Sequence, residues 1–233
     1  MVGVAGGLLL AEIVPVVLAA VTLGGVIYML LALWGARGFV RAVSRSAGRR
    51  DGAQPGVDVT ILKPMKGIDT RMYAALRSHC VQEYAGAVEI LFGVSDPDDP
   101  AIAEIARLRA EFPEAAIRVA LCPERLGSSG KVSNLVQMLR AASYEHVVIN
   151  DSDIEVSPRY LANVMRGFAD PKVGLVTAPY VGATGPGATG SATTVWSKLE
   201  ALGISTDFMA GVLTARGLEG GMRYGLGSTL ATT

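Results

Sequence analysis

His146–Val156 reads HVVINDSDIEV. A short apolar, β-forming run ends at Asn150, and three carboxylates follow at Asp151, Asp153 and Glu155. Only 18% of the chain is charged, so this concentration of acid at a strand end needs a reason. Either the carboxylates shape a turn, or they hold something. The segments around them decide which.

Working outward, short β-rich runs recur at Val57–Leu62, Val88–Val94, Ile117–Leu121, His146–Asn150 and Val173–Thr177. Helix-period segments lie between them, at Thr70–Val81, Pro100–Phe112, Val132–Ser143 and Pro158–Ala169. Asp69 stands where it can cap the first helix. Asp99-Pro100 and Ser157-Pro158 each join a capping residue to a proline at the first helical position. Strand–helix alternation predicts an α/β domain with a Rossmann-like, mostly parallel sheet. In such sheets ligands bind beyond the carboxyl ends of the strands. Those ends read KPMKG (Lys63–Gly67), SDPDDP (Ser95–Pro100), CPERLGSSGK (Cys122–Lys131) and DSD (Asp151–Asp153). Two basic, glycine-bearing ends and two acidic ends would face one crevice, as a metal-bound phosphorylated ligand requires.

Asp-x-Asp on an extended or turning segment can bring two hard oxygen donors to one Mg²⁺ or Mn²⁺, with substrate phosphate completing the shell. An EF-hand is excluded, because its sixth and twelfth positions fall on Val156 and Ala162 instead of Gly and Glu. As mere cap residues the aspartates are redundant, since Ser157 already stands before Pro158. Asp98 and Asp99 are explained as turn and cap residues, and Asp96 could join them on pattern alone. Lys131 and Asn134 follow GSSG. They read either as a solvated helix start or as a cation and helix terminus near a diphosphate. GKV lacks the Ser/Thr of a Walker loop. GPGATG (Gly185–Gly190) matches a dinucleotide fingerprint but follows the fifth strand instead of the first, so it reads as a loop.

At 233 residues the chain holds one domain and an appendage. From Ile13 to Trp34 there are 22 residues without a charge, enough at about 1.5 Å per residue to cross a hydrocarbon core of about 30 Å. Residues 1–50 carry five arginines (37, 41, 45, 49 and 50) against Glu12, a net of +4, so the remainder sums to −4. Basic residues after the span place the following chain on the cytoplasmic side. Arg37, Arg41, Arg45 and Arg49 form a helical stripe suited to an anionic leaflet, or simply a solvated juxtamembrane segment. The acidic balance of the remainder argues against nucleic acid as a partner. Cys80 and Cys122, without metal-type spacing, indicate a reducing compartment. Trp196, Leu199, Leu202, Ile204 and Phe208–Leu213 form an apolar helical run, interrupted by Asp207 and too short to span. The expected organisation is an anchor at 1–36, a basic segment and linker at 37–56, and the α/β domain from 57 to 233.

VTILKPMKG, ILFGVSDPDDPAI, GSSGKVSNLVQM, VVINDSDIEVSPRYL and GLGST occur in the order seen in ceramide glucosyltransferase-like GT-A glycosyltransferases. Within that branch the chain most resembles the hopanoid-biosynthesis glycosyltransferases of the HpnI type, over about residues 57–230. The resemblance implies a bacterial inner-membrane enzyme, inverting at the sugar, that moves N-acetylglucosamine from UDP-GlcNAc to the lipid bacteriohopanetetrol. A ceramide glucosyltransferase using UDP-glucose, or an inactive nucleotide-sugar-binding remnant, stands as the alternative. Position by position, it assigns Lys63, Pro64, Gly67 and Asp96 to the uridine. Lys131 and Asn134 fall near the diphosphate, and Asp151 and Asp153 hold the metal–diphosphate. Gly227, Ser228 and Thr229 line the sugar or acceptor pocket. It also implies a third acidic motif supplying the general base, and an R-x-x-R-W motif. Neither is found before Thr233, so the chain reads as C-terminally incomplete, with its base expected beyond that residue.

Overall fold

The computed structural model describes residues 2–48, 56–69, 71–184 and 194–233. It divides into two compact units, Met1–Asp51 with Glu200–Arg223, and Gly52–Leu199 with Tyr224–Thr233. The Gly185–Gly190 stretch and most of the predicted linker lie outside the described residues.

The larger unit is built on a six-stranded sheet of order β3-β2-β1-β4-β6-β5. Its strands are β1 (Val59–Pro64), β2 (Val88–Val94), β3 (Ala116–Leu121), β4 (His146–Asn150), β5 (Leu175–Thr177) and β6 (Thr229–Thr232). The first four are mutually parallel, as the alternation predicts, and β6 runs antiparallel between β4 and β5. The helices of this unit are α2 (Met72–Cys80), α3 (Ala101–Glu111), α4 (Gly130–Ala141) and α5 (Tyr160–Met165). β1 and β2 are mostly apolar and buried on both faces, which marks interior parallel strands, with Thr60, Lys63 and Glu89 as their buried polar exceptions. Val59, Ile61, Ile90 and Phe92 pack with Leu76, Ile105 and Leu161 on one side. Leu62 and Leu91 meet Met138 of α4 on the other. Met138 sits so close to β2 that a Cβ at Gly93 would collide with its sulfur.

Two boundaries differ from expectation in ways that matter. β1 runs two residues later than predicted, carrying Lys63 and Pro64 into the sheet. α4 starts at Gly130 because the Ser129 hydroxyl accepts the Val132 N–H at 3.3 Å, which puts Lys131 in its first turn. Asp99 does more than cap α3. Its carboxylate accepts the Ala101 N–H at 2.9 Å and also the Gly67 N–H, at 3.0 Å from each oxygen. Gly67 has φ +66°, a left-handed turn that glycine accepts without a Cβ clash.

A buried carboxylate also organises the far end of the sheet. Glu89 accepts from Thr60 Oγ1 at 2.8 Å, Ser143 N–H at 2.9 Å and Ser143 Oγ at 2.8 Å, and pairs with Arg118. Burial alone would raise its pKa, but these donors hold it below the usual carboxylate value.

In the smaller unit, α1 (Val2–Gly48) is one helix of 47 residues, about 70 Å long. It contains one stretch long and apolar enough to cross a membrane. Residues 12–30 are exposed at every position, so none of the described residues covers that stretch. The apolar run after Thr194 is helical, as its pattern predicts. α6 (Val195–Gly203), whose first five residues are assigned to the larger unit, passes through a π turn at Ile204–Phe208 into α7 (Met209–Glu219), which stops at left-handed Gly220. α7 buries Met209, Val212 and Thr214 and lies directly on α1. Glycine makes the approach possible. A Cβ at Gly35 would overlap the Leu213 carbonyl, and one at Gly217 would meet the Trp34 ring at 2.6 Å.

Candidate functional site

Beyond the carboxyl ends of β1, β2 and β4 the predicted residues fall into two layers. Asp151 and Asp153 sit on the turn that leaves β4, with Asp153 exposed and Asp151 half-buried. Lys131, projecting from the first turn of α4, forms an ion pair with the Asp151 carboxylate. Two segments that are 20 residues apart therefore meet over the sheet end. Glu155 pairs instead with Arg71 at 2.8 Å, away from Asp151, so it belongs to the following turn. Asp96 is exposed at the end of β2, where its carboxylate accepts the Asp98 N–H at 2.9 Å.

The lower layer holds residues whose side chains support this surface. Lys63 is fully buried, and its amine donates to Asn150 Oδ1 at 2.7 Å and to the Asp151 carbonyl at 2.8 Å. It thus lies under the acidic turn instead of reaching toward a ligand. Burial pushes its pKa down from the usual 10.5 to about 7, and the nearby charges of Asp151 and Asp153 only partly oppose that. His79 Nδ1 donates to the Ala75 carbonyl at 2.9 Å, which leaves the Nε2 lone pair facing the Lys63 amine at 3.5 Å. Burial, then the Lys63 charge, lower the His79 pKa to about 3, so the ring is neutral and can receive that contact. Asn134 is buried likewise, accepting from Ser95 Oγ at 2.8 Å and donating to the Gly93 carbonyl at 3.4 Å. It ties α4 to β2.

Asn150 links this lower layer to the distant GLGST segment. Its amide donates to the Ser228 carbonyl at 3.0 Å and to Thr229 Oγ1 at 3.2 Å, and contacts the Tyr160 hydroxyl at 3.3 Å. Antiparallel pairing of Asn150 with Thr229 fixes that meeting. Ser228 and Thr229 thereby arrive beside Asn150, the residue before Asp151, with Gly227 next to them in the chain. Ser228 is buried, and its hydroxyl has no hydrogen-bond partner among the described residues. Sequence reasoning missed Asn150, His79 and Tyr160. The available signal was an amide closing an otherwise apolar strand, immediately before the acid pair.

As a metal site the turn supplies two hard carboxylates. Among the described residues no group of three or more His, Cys, Asp or Glu is placed to hold an ion. Two carboxylates fit an ion that completes its shell from a diphosphate, as Mg²⁺ does, and do not fit an all-protein cage.

A parallel β3-β2-β1-β4 sheet, extended by an antiparallel pair and carrying Asp-x-Asp beyond β4, is the GT-A fold of nucleotide-diphospho-sugar transferases. Within that class the chain belongs to glycosyl transferase family 21, whose model matches residues 17–233. Ceramide glucosyltransferase of Candida albicans is 32% identical over 116 residues, covering 45% of this chain and 21% of that protein. The enzyme of that name from Komagataella phaffii is 31% identical over 157 residues, covering 65% and 29%. The chain thus spans between about a fifth and three tenths of these relatives' length. Among solved structures, Mycobacterium tuberculosis glucosyl-3-phosphoglycerate synthase with UDP aligns at TM-score 0.47 and 18% identity, covering 77% of this chain and 58% of that one. Staphylococcus aureus TarS 1-349 with UDP-GlcNAc aligns at 0.45 and 17%, covering 57% and 37%.

Proposed function

We propose that this chain carries the donor-binding part of a membrane-bound, inverting glycosyltransferase that moves a sugar from a UDP-sugar to a lipid hydroxyl. The observation that carries the reading is the meeting of Lys131, at the N-terminus of α4, with Asp151 on the turn after β4. A diphosphate entering there gains a cation and helix-end amides on one side and a metal-binding turn on the other. Asp151 and Asp153 would hold Mg²⁺ or Mn²⁺, which neutralises charge on the departing UDP. Lys131 exchanges its carboxylate partner for phosphate oxygens. Lys63 and Asn150 fix the turn from below. Gly67 and Asp96 border the uridine, with Pro64 behind them, and Gly227–Thr229 border the sugar. The exposed apolar stretch of α1 anchors the chain, and the arginines that follow it set the larger unit on the cytoplasmic side, at the inner membrane of a bacterium.

The donor–acceptor pair we assign is UDP-GlcNAc and bacteriohopanetetrol, on the motif resemblance to hopanoid-pathway enzymes. A second reading, UDP-glucose and ceramide, is favoured by the ceramide glucosyltransferases among the relatives. Calorimetry of both donors, with and without Mg²⁺ or Mn²⁺, separates them. Metal-dependent binding of UDP-GlcNAc in preference to UDP-glucose supports the first reading, and the reverse preference supports the second. Binding of neither donor, or metal-dependent binding undiminished in Asp153→Ala, would overturn the site itself.

A further inference from the structure

α6 has no buried residue among its nine. Val195 is 70% exposed, Trp196 80%, Leu199 51% and Leu202 57%. At about 100° per residue these four occupy an arc of about 120° on one side of the helix. Ser197, Lys198 and Glu200 fall on the rest of the circumference. Such a stripe is amphipathic in the sense of an interfacial helix, and an uncovered tryptophan at its edge suits a headgroup boundary. A water-facing origin is a poor explanation, because soluble surfaces scatter their large apolar residues instead of aligning them.

A second observation says what covers the stripe. α6 runs through the π turn directly into α7, and α7 is locked to the membrane-anchor helix. The lock is backbone-close, with Gly35 against Leu213 and Gly217 against Trp34, and the Arg216 guanidinium lies 5.5 Å from the centre of the Phe39 ring. Trp34 to Phe39 is where the apolar span gives way to the arginines at 37, 41 and 45. The chain leaving α6 is therefore fastened at the anchor's headgroup-level end. We infer that α6 is a second membrane contact, lying in the interfacial layer with Val195, Trp196, Leu199 and Leu202 among the lipids. This rests on the reading of α1 as a membrane span. It adds a shallow contact to the transverse one, so that the membrane holds the enzyme at two points of the chain.

The chain contains two tryptophans, one on each element. Trp34→Phe leaves Trp196 as the sole reporter, and Trp196→Phe leaves Trp34. Each full-length variant is reconstituted into phosphatidylcholine vesicles whose acyl chains are brominated near the headgroup. We expect bromine to remove most of the emission of both tryptophans, and aqueous iodide to quench Trp196 weakly. Trp196 quenched by iodide and untouched by bromine, with Trp34 still quenched by bromine, would overturn the α6 contact and leave the anchor intact. Trp196 protected from both quenchers would also overturn it, in favour of a protein partner. Neither tryptophan sensing bromine would remove the anchor and the inference together. None of these outcomes depends on donor binding or turnover.

Discussion

The amine of Lys63 donates to the side-chain oxygen of Asn150 at 2.7 Å, and the same Asn150 donates to the Ser228 carbonyl at 3.0 Å. One buried amide thus joins the first strand, the acidic turn and the last strand described. Lys63→Met would leave Asn150 Oδ1 and the Asp151 carbonyl without this donor, at about 1–3 kcal/mol, while removing a buried charge that opposes folding. The pH dependence separates the two effects. Unfolded Lys63 titrates at its usual 10.5 and folded Lys63 at about 7, so the unfolded state binds more protons between those values. Wild-type stability should therefore rise with pH from about 7 to 10.5, with the charge-burial cost fully present below 7. Metal-free thermal unfolding in detergent across that range should show the slope in wild type. Lys63→Met should lack this contribution.

Glu89 gives a dependence of the same sign in the acid range, where the charge it buries stabilises the fold instead of opposing it. Its folded pKa lies below the unfolded 4.5, so its contribution to stability is present above about pH 4.5 and is lost as the pH falls through the folded value. Glu89→Gln should cost about 1–3 kcal/mol at pH 7, because the amide sets donors against Thr60, Ser143 and Arg118. Urea unfolding at pH 7 and below pH 4.5 would measure it, with the difference between the two proteins shrinking at the acid end.

Lys131→Ala should weaken UDP-sugar binding about tenfold and reduce its salt sensitivity, because a charge-assisted contact to the diphosphate is lost. The fold should change little, since the pair with Asp151 is partly exposed to solvent and such pairs contribute little to stability. Titration calorimetry at two salt concentrations, alongside a melting curve, tests both halves.

Gly35→Leu should pry α7 from α1, since even a Cβ overlaps the Leu213 carbonyl. Overpacking of this kind costs about 1–3 kcal/mol. Spin labels on the two helices should report a longer distance in the variant, and an unchanged distance would contradict the contact.

The parallel character of the sheet was legible because short β-rich runs and helix-period segments alternate cleanly from Val57 to Ala169. The acidic turn was legible because Asp151 and Asp153 follow directly on an apolar strand, although the cap expected at Ser157 does not form and α5 begins instead at Tyr160 without a side-chain cap. Depth was not legible. Lys63 and Asn134 carry the chemistry of ligand-contacting residues, and nothing local shows that β1 extends to Pro64 or that Ser95 reaches Asn134 at 2.8 Å. The placement of Ser228 and Thr229 depends on a pairing 79 residues away from Asn150, which no window of sequence contains. The grip of α7 on α1 was equally hidden, because Gly35 and Gly217 signal nothing until their backbones meet.

β6 lies between β4 and β5 and pairs Asn150 with Thr229. A ribosome adding about 5–20 residues each second makes the intervening segment in about 4–16 s. Throughout that interval β4 presents an open edge beside a half-built acidic turn, on a chain whose long apolar helix α1 has already been made. The nascent chain therefore passes through an aggregation-prone stage. Selection on β4 and the loop before β6 must serve safe passage through synthesis as well as the finished sheet.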